Sequence, residues 1–243
     1  MKQERFYRKF HGSKDLVHFN VVVEQTDLNI GAYKMLTQES IKLIKKYRQH
    51  IKDYIREVPE FLTSLKPLPC PVHALSIIKD MCQAAQKCGV GPMAAVAGAI
   101  AQYVGQDLSK LSREIIVENG GDIYIKSNKE RIIGIYAGDS PLSGRIGIKV
   151  KPEDCPLGVC TSSGKVGHSL SFGRADAVIV ISRDTALADA AATAIGNMIK
   201  TPDDIQEGIN SAKNIEGILG IMIIMEDKLG AWGNIQLVKL KNS

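Results

Sequence analysis

Aromatic side chains and long hydrophobic runs are scarce in this sequence. Phe, Trp and Tyr make up 5% of its 243 residues, and there is one Trp. No apolar run approaches the ~20 residues that a membrane-spanning helix needs. The N-terminus, Met-Lys-Gln-Glu-Arg-Phe, has no apolar segment of the signal-peptide type. We therefore expect a cytoplasmic protein without a membrane partner, whose core consists mainly of Ile, Val, Leu and Ala.

Cysteine and charge also exclude several classes of protein. The five cysteines have no regular spacing, which favours reduced thiols in a cytosol over a disulfide framework. The formal net charge of +5 is modest. No basic stripe is interleaved with stacking aromatic residues, so dedicated nucleic-acid binding is not indicated. A small anionic molecule such as a nucleotide is a compatible partner.

Strand patterns punctuated by helices at irregular intervals predict an α+β fold, with antiparallel sheets flanked by helices. We expect a single domain over residues 1–243, and the Pro-rich connector at 66–72 is the candidate subdivision. From Thr37 onward, apolar residues recur at three- and four-residue steps, while the other helix face is rich in Lys and Arg. Such a helix packs on a sheet or on a partner subunit, so a homodimer is one expectation.

Gly and Pro mark the predicted element boundaries. Gly89 is expected to end one helix, and Pro92 to begin another that ends at Gly105. Near the C-terminus, Gly217–Met225 and Asn234–Leu240 read as the two strands of a hairpin.

The first candidate binding element is Asn119-Gly120-Gly121-Asp122. A Gly-Gly pair between apolar runs predicts a hairpin turn. The same turn lets a ligand approach the backbone, with Asn119 or Asp122 available to a ribose or a ring edge. A hairpin with no ligand is the alternative.

The second candidate binding element is Thr161-Ser162-Ser163-Gly164, which directly follows Cys160. A turn this rich in hydroxyl and backbone donors is suited to an anion or a ribose.

The third element is a helix made almost entirely of alanine, in which Asp189 and Thr193 stand four residues apart. That spacing places both on one helix face. Their oxygen atoms suit a hard cation such as Mg²⁺, with ligand phosphates at its other positions. The alternative is that Asp189 is an acidic residue near a helix start, where the helix dipole favours it.

These elements occur in a characteristic order: Val117-Glu-Asn-Gly-Gly-Asp122, Val159-Cys-Thr-Ser-Ser-Gly164 with His168 after it, and Ala188-Asp-Ala-Ala-Ala-Thr193. The set resembles the ApbE superfamily, whose best-known members are Mg-dependent FAD:protein FMN transferases. The chain looks most like a shorter branch found in archaea and bacteria. The resemblance implies an ApbE-like fold, FAD or FMN and Mg²⁺ as ligands, and His168 as the catalytic candidate.

The sequence departs from the transferase pattern at two places. The transferases carry a Lys-Gly dipeptide and an Asp where this chain has Gly91, Pro92 and Val96. The Asp-Pro that follows the matching histidine in the transferases is also missing after His168. The first departure removes a charge pair from the expected site and weakens the expectation of transferase activity.

The sequence is compatible with three functions. The favoured one is an ApbE-like protein that binds a phosphate-bearing small molecule, such as a flavin nucleotide, in a cleft. The resemblance adds an expected link to sulfur assimilation, with Cys160 as a thiol carrier, against the alternative that Cys160 packs inside. The other two functions are a Mg-dependent FAD:protein FMN transferase and a non-catalytic homo-oligomeric subunit.

Overall fold

The structure is a computed structural model that describes residues 15–164 and 173–240. Its strands are Val17–Val23 (β1), Thr26–Ala32 (β2), Ile115–Asn119 (β3), Asp122–Lys126 (β4), Arg131–Gly134 (β5), Ile146–Val150 (β6), Leu157–Ser162 (β7), Ala177–Ser182 (β8), Ile218–Met225 (β9), Lys228–Gly233 (β10) and Gln236–Lys239 (β11). Eight strands form one sheet in the order β1-β2-β3-β4-β7-β8-β9-β10, and three form a second sheet in the order β11-β6-β5. Every pairing between neighbours is antiparallel. The predicted α+β class is confirmed.

The α-helices are Thr37–Glu57 (α1), Glu60–Thr63 (α2), Ser76–Cys88 (α3), Val96–Leu108 (α4), Thr185–Met198 (α5) and Ile205–Lys213 (α6). They pack on one face of the eight-stranded sheet and form with it the larger core. The three-stranded sheet covers the opposite face and encloses a second, smaller core.

Side-chain alternation along the strands assigns each residue to one of these two cores. On β4, Tyr124 joins the core under the helices, whereas Ile123 and Ile125 join the core between the sheets. All six residues of β8 are buried. That is why the run Ala177–Ser182 is continuously apolar up to its final residue instead of alternating with polar residues.

The glycine predictions had different outcomes. Gly89 ends α3 in the left-handed conformation, with φ of 69°, as predicted. Gly105 does not end its helix, because α4 continues to Leu108. A Cβ at Gly105 would lie 2.2 Å from Cδ1 of Tyr124, so this glycine is required by close packing of α4 on the sheet.

The predicted C-terminal hairpin is wrong. β9 pairs with β10, which occupies the stretch expected to be its loop, and β11 pairs with β6 in the other sheet. β10 shows little apolar alternation because it is an edge strand and most of it is exposed. Its Gly230 lies under α6, where a Cβ would approach Ile205 Cγ2 to 2.4 Å.

The Pro-rich connector at 66–72 does not divide the core. Phe61 before it and Ile77 after it are buried in the same cluster, which supports our proposal that the chain is one domain. No single helix within the described residues is long and apolar enough to cross a membrane, and α3 reaches that length only together with Pro92–Leu108, at a bend of 108°.

Candidate functional site

The Gly-Gly turn joins β3 to β4 as a two-residue hairpin, with Asn119 paired to Asp122. Gly120 and Gly121 have φ of 71° and 112°, which favours glycine over residues with a side chain. The N–H of Gly121 donates to Oε1 of Glu118 at 3.0 Å. The predicted hairpin is therefore confirmed, but one of its two glycine N–H groups is already used inside the protein.

The neighbouring strand β7 presents its residues alternately to the two faces of the sheet. Thr161 points to the space between the sheets and lies beside the turn, since a Cβ on Gly121 would be 3.5 Å from the Thr161 carbonyl oxygen. Ser162 points the other way, and its Oγ would be 3.3 Å from a Cβ on Gly196 of α5. Thr161 and Ser162 thus belong to a strand, and the bend begins only at Ser163.

Gly164 has a packing role. Its N–H donates to the Ala175 carbonyl at 2.9 Å, and a Cβ there would come within 2.3 Å of the Gly173 carbonyl oxygen. The catalytic candidate His168 lies outside the described residues, so its role stays a prediction.

Asp189 lies in the alanine-rich helix α5, as expected, and is 9% exposed. Its Oδ2 accepts the backbone N–H of Gly98 in α4 at 2.8 Å. A Cβ at Gly98 would lie 2.4 Å from the Thr185 carbonyl and 2.8 Å from Asp189 Cβ. The small residues therefore bring two helix backbones together around this carboxylate.

Asp122 is the unexpected neighbour of Asp189. The two carboxyls interact through their charges: burial, followed by the negative charge of Asp189, raises the pKa of Asp122 well above its usual range. Burial also raises the pKa of Asp189 to about 7, against the opposing effect of hydrogen bonds from the Gly98 and Ala97 backbones. Within the described residues, Oδ1 of Asp122 is buried without a hydrogen-bond partner. We call these two residues the acid pair.

Asn119 and Cys160 lie on the same face of the sheet as the acid pair. The Asn119 side chain donates to the Ala97 carbonyl of α4 at 3.0 Å. The Cys160 thiol is fully buried, and it donates to the Thr185 carbonyl at 3.4 Å. Burial raises the pKa of the Cys160 thiol well above its usual range, so it stays protonated and packs inside, which disfavours its role as a thiol carrier.

The oxygen donors of the acid pair suit Mg²⁺, which proteins bind through one or two carboxylates together with substrate phosphates. Oδ1 of Asp122 is a buried oxygen acceptor without a hydrogen-bond partner among the described residues. Thr193 is partly exposed one turn after Asp189. Among the described residues, no group of three or more His, Cys, Asp or Glu side chains is placed to hold a metal ion, so any cation here depends on other oxygen donors as well.

On the other face of β4 and β7, a cleft opens between the two sheets. The empty volume of the cleft, which includes open solvent at its mouth, is about 600 Å³. Its walls are mainly apolar, and the side-chain hydroxyls among its lining residues belong to Tyr136, Thr161 and Ser163. None of the described residues that line it has a charged side chain; they are Gly120, Gly121, Ile123, Ile133, Gly134, Ile135, Tyr136, Ile148, Val159, Thr161, Ser163 and Ile179.

The predicted binding residues are thus divided between two faces of one sheet. Gly120, Gly121, Thr161 and Ser163 line the cleft. The residues on the helix side are Asn119, Asp122, Ser162 and Asp189. The two groups adjoin at Thr161, which lies beside Gly121 and whose backbone N–H donates a hydrogen bond to the Asp122 carboxyl. Sequence reasoning missed Gly98 and the pairing of Asp122 with Asp189; the glycine inside an alanine helix was the available signal.

Comparison with known proteins identifies the family. A family model described as "AbpE bacteria" matches residues 8–222. A UPF0280 protein of Methanococcus aeolicus is 41% identical over 234 residues, covering 92% of this chain and 93% of its own length. The chain belongs to this ApbE-like family. A UPF0280 protein of Methanothermobacter thermautotrophicus is 46% identical over 193 residues, covering 77% of this chain and 75% of its own length.

Solved structures confirm the ApbE-like fold. The flavin transferase ApbE from Vibrio cholerae is 14% identical with a TM-score of 0.58, covering 90% of this chain and 96% of its own. The ApbE protein from Thermotoga maritima is 13% identical with a TM-score of 0.59, covering 88% and 96%. Apo flavinyl transferase ApbE from Pseudomonas stutzeri is 13% identical with a TM-score of 0.56, covering 90% and 94%. At these identities the likeness concerns the fold.

This chain's departure from the transferase motif has a structural setting. Gly91 is buried where a Cβ would lie 1.7 Å from the Ser64 carbonyl oxygen. Pro92 begins a 3-10 turn and Val96 begins α4. Gly91, which stands where the transferases carry their Lys-Gly element, is therefore packed against the backbone just before the Pro-rich connector.

Proposed function

We propose that this protein binds a flavin nucleotide, FMN or FAD, in the cleft between its two sheets. The observation that carries the proposal is an uncharged cleft with apolar walls, whose lining residues Gly121 and Thr161 adjoin Asp122 of the buried acid pair. The isoleucine side chains that line the cleft give an apolar surface on which a planar ring system can pack. Ligand sites are mostly apolar, with a few polar groups that fix the ligand's orientation. The hydroxyls of Thr161 and Ser163 supply polar contacts on the lining.

The acid pair explains how phosphates would be held close to carboxylates. Two carboxyls repel a phosphate, so an anionic ligand needs a cation between them. Asp122 and Asp189 would hold Mg²⁺, and the four-residue spacing from Asp189 makes Thr193 the candidate for a further oxygen donor. The ion would neutralise charge and orient the phosphates. The protein's part is to position these oxygens through the Gly98 N–H and to keep the ring away from water.

Fluorescence titration of FMN and FAD into the purified protein tests this proposal. We expect saturable quenching that is strong with Mg²⁺ and weak with EDTA. ADP, which lacks the isoalloxazine ring, is the control, and it should displace bound flavin only weakly in a competition titration. If the protein quenches the fluorescence of neither FMN nor FAD at any Mg²⁺ concentration, the proposal fails.

A Mg-dependent FAD:protein FMN transferase is the second candidate. The observation that favours it is the acid pair itself, because carboxyls whose pKa is raised by burial and by a charged neighbour cluster at functional sites. In this candidate His168 would accept the proton of the acceptor hydroxyl. Incubation with FAD, Mg²⁺ and a flavoprotein acceptor, followed by in-gel flavin fluorescence, decides it: flavin binding without a labelled band leaves the first function standing and removes the second. The homodimer, the cytoplasmic location and the link to sulfur assimilation stay predictions.

A further inference from the structure

Three apolar side chains are exposed together at the end of the large sheet opposite the Gly-Gly turn. Tyr33 is 49% exposed, Met35 63% and Leu111 49%. The N–H of Tyr33 donates to Ser112 Oγ at 3.2 Å, which joins the loop after β2 to the loop before β3. The five-residue strand β3 separates this end from the turn, a span of roughly 15 Å.

Cations surround these apolar side chains. Lys34, Lys110, Arg113 and Lys126 are all exposed. Lys126 lies directly across from Ile115 at the start of β3, and its Nζ donates to Ser109 Oγ at 3.4 Å. Lys110 is neutralised by Asp107 at 2.6 Å. Across residues 15–164 and 173–240, no ion pair involves the other three cations.

We call this surface the Tyr33 patch, and its members are Tyr33, Lys34, Met35, Lys110, Leu111, Arg113 and Lys126. We propose that the Tyr33 patch docks a protein partner whose surface presents carboxylates around exposed apolar side chains. Charge complementarity selects such a partner, because three cations without ion pairs surround the apolar centre. Tyr, Met and Arg are the residue types enriched in protein interfaces.

The exposure values favour a protein surface over a lipid surface. About half of the Tyr33 and Leu111 side chains is covered by the protein's own fold, whereas a membrane-inserted side chain projects into the acyl boundary. The position of the patch also matters for function. Because it lies at the other end of β3 from the Gly-Gly turn, a docked partner leaves that turn uncovered.

Fluorescence anisotropy with a short labelled peptide that alternates Glu and Leu tests the proposal. We expect saturable binding that weakens at high salt, and at least about tenfold weaker binding by the double variant Lys34→Glu, Arg113→Glu. The same peptide with Gln in place of Glu should bind less well. A variant Met35→Ser, Leu111→Ser should also lose affinity without any change in charge.

The matched control is Lys42→Glu, Lys45→Glu, which makes the same charge change on two exposed residues of α1. It should keep peptide binding close to that of the wild type. Equal losses in the two double variants would show a non-specific effect of net charge and overturn the proposal. Absence of saturable peptide binding, or recruitment to phosphatidylglycerol vesicles through Lys34 and Arg113 without peptide binding, would overturn it too. Circular dichroism of each variant checks that the fold is retained.

Discussion

The backbone N–H of Gly98 donates to Oδ2 of Asp189 at 2.8 Å, and this bond depends on the missing side chain of Gly98. Any Cβ at that position would collide with the Thr185 carbonyl at 2.4 Å. The missing side chain of Gly98 therefore permits the close contact of α4 and α5 and also orients Asp189, a candidate metal ligand.

Gly98→Ala is expected to lower the free energy of unfolding by about 2 kcal/mol, since α4 must move away from α5. It should also weaken Mg²⁺-dependent flavin binding, because the displaced α4 carries the N–H of residue 98 away from Asp189. Chemical denaturation and flavin titration measure the two effects.

Gly89→Ala is the control for that experiment. Gly89 has φ of 69° and no atom within 4 Å of a built Cβ, so its substitution costs stability through backbone strain alone. Flavin affinity that falls equally in both variants would contradict the role assigned to Gly98.

The stability of the metal-free protein should fall as the pH rises from about 4 to about 7. Burial raises the pKa of Asp189 to about 7 in the folded state, from the 3.8 of an unperturbed aspartate. Between these values the folded protein holds a proton that the unfolded chain has released, so deprotonation favours unfolding. The loss should be on the order of 3 kcal/mol. Urea denaturation at several pH values measures it.

Asp189→Asn should reduce this slope without removing it, because burial also raises the pKa of Asp122, and added Mg²⁺ should offset the slope in the wild type. A pH profile that is the same in wild type and Asp189→Asn would show that another group titrates in this range.

Asp122→Asn should stabilise the metal-free protein at neutral pH by about 1 kcal/mol, because it removes a buried carboxyl whose pKa is raised by burial and by Asp189. The same change should abolish the response of flavin binding to Mg²⁺. Thermal unfolding with and without Mg²⁺ reports both effects. The exposed Asp139→Asn is the control and should change neither quantity; a destabilised Asp122→Asn would instead assign Asp122 a structural role.

Thr161→Val and Ser162→Ala compare adjacent residues on opposite faces of β7. Thr161 lines the cleft, so loss of its hydroxyl should weaken flavin binding by about two- to tenfold, the value of one hydrogen bond. Ser162 faces Gly196 of α5, so its alanine variant should bind flavin normally. The reverse order of effects would place the ligand on the helix side.

Local features were predictable from the sequence because their causes are local. The Gly120–Gly121 turn follows from two residues that tolerate positive φ between apolar strands, and the end of α3 follows from Gly89. The wrong predictions concern contacts between distant segments. Gly105 was expected to end a helix, but it is fixed by Tyr124, which is far from it in sequence.

Patterns in the chain were enough to predict the α+β class, the family resemblance and the candidate site residues. The proximity of Asp122 to Asp189 and the position of Thr161 in a separate cleft became visible in the folded protein alone. The physical reason is that strand alternation places neighbours on opposite faces of a sheet, while the pairing of β4 with β7 and the contact of α4 with α5 decide which faces meet. Those pairings join segments that are distant in the chain, so no local pattern contains them.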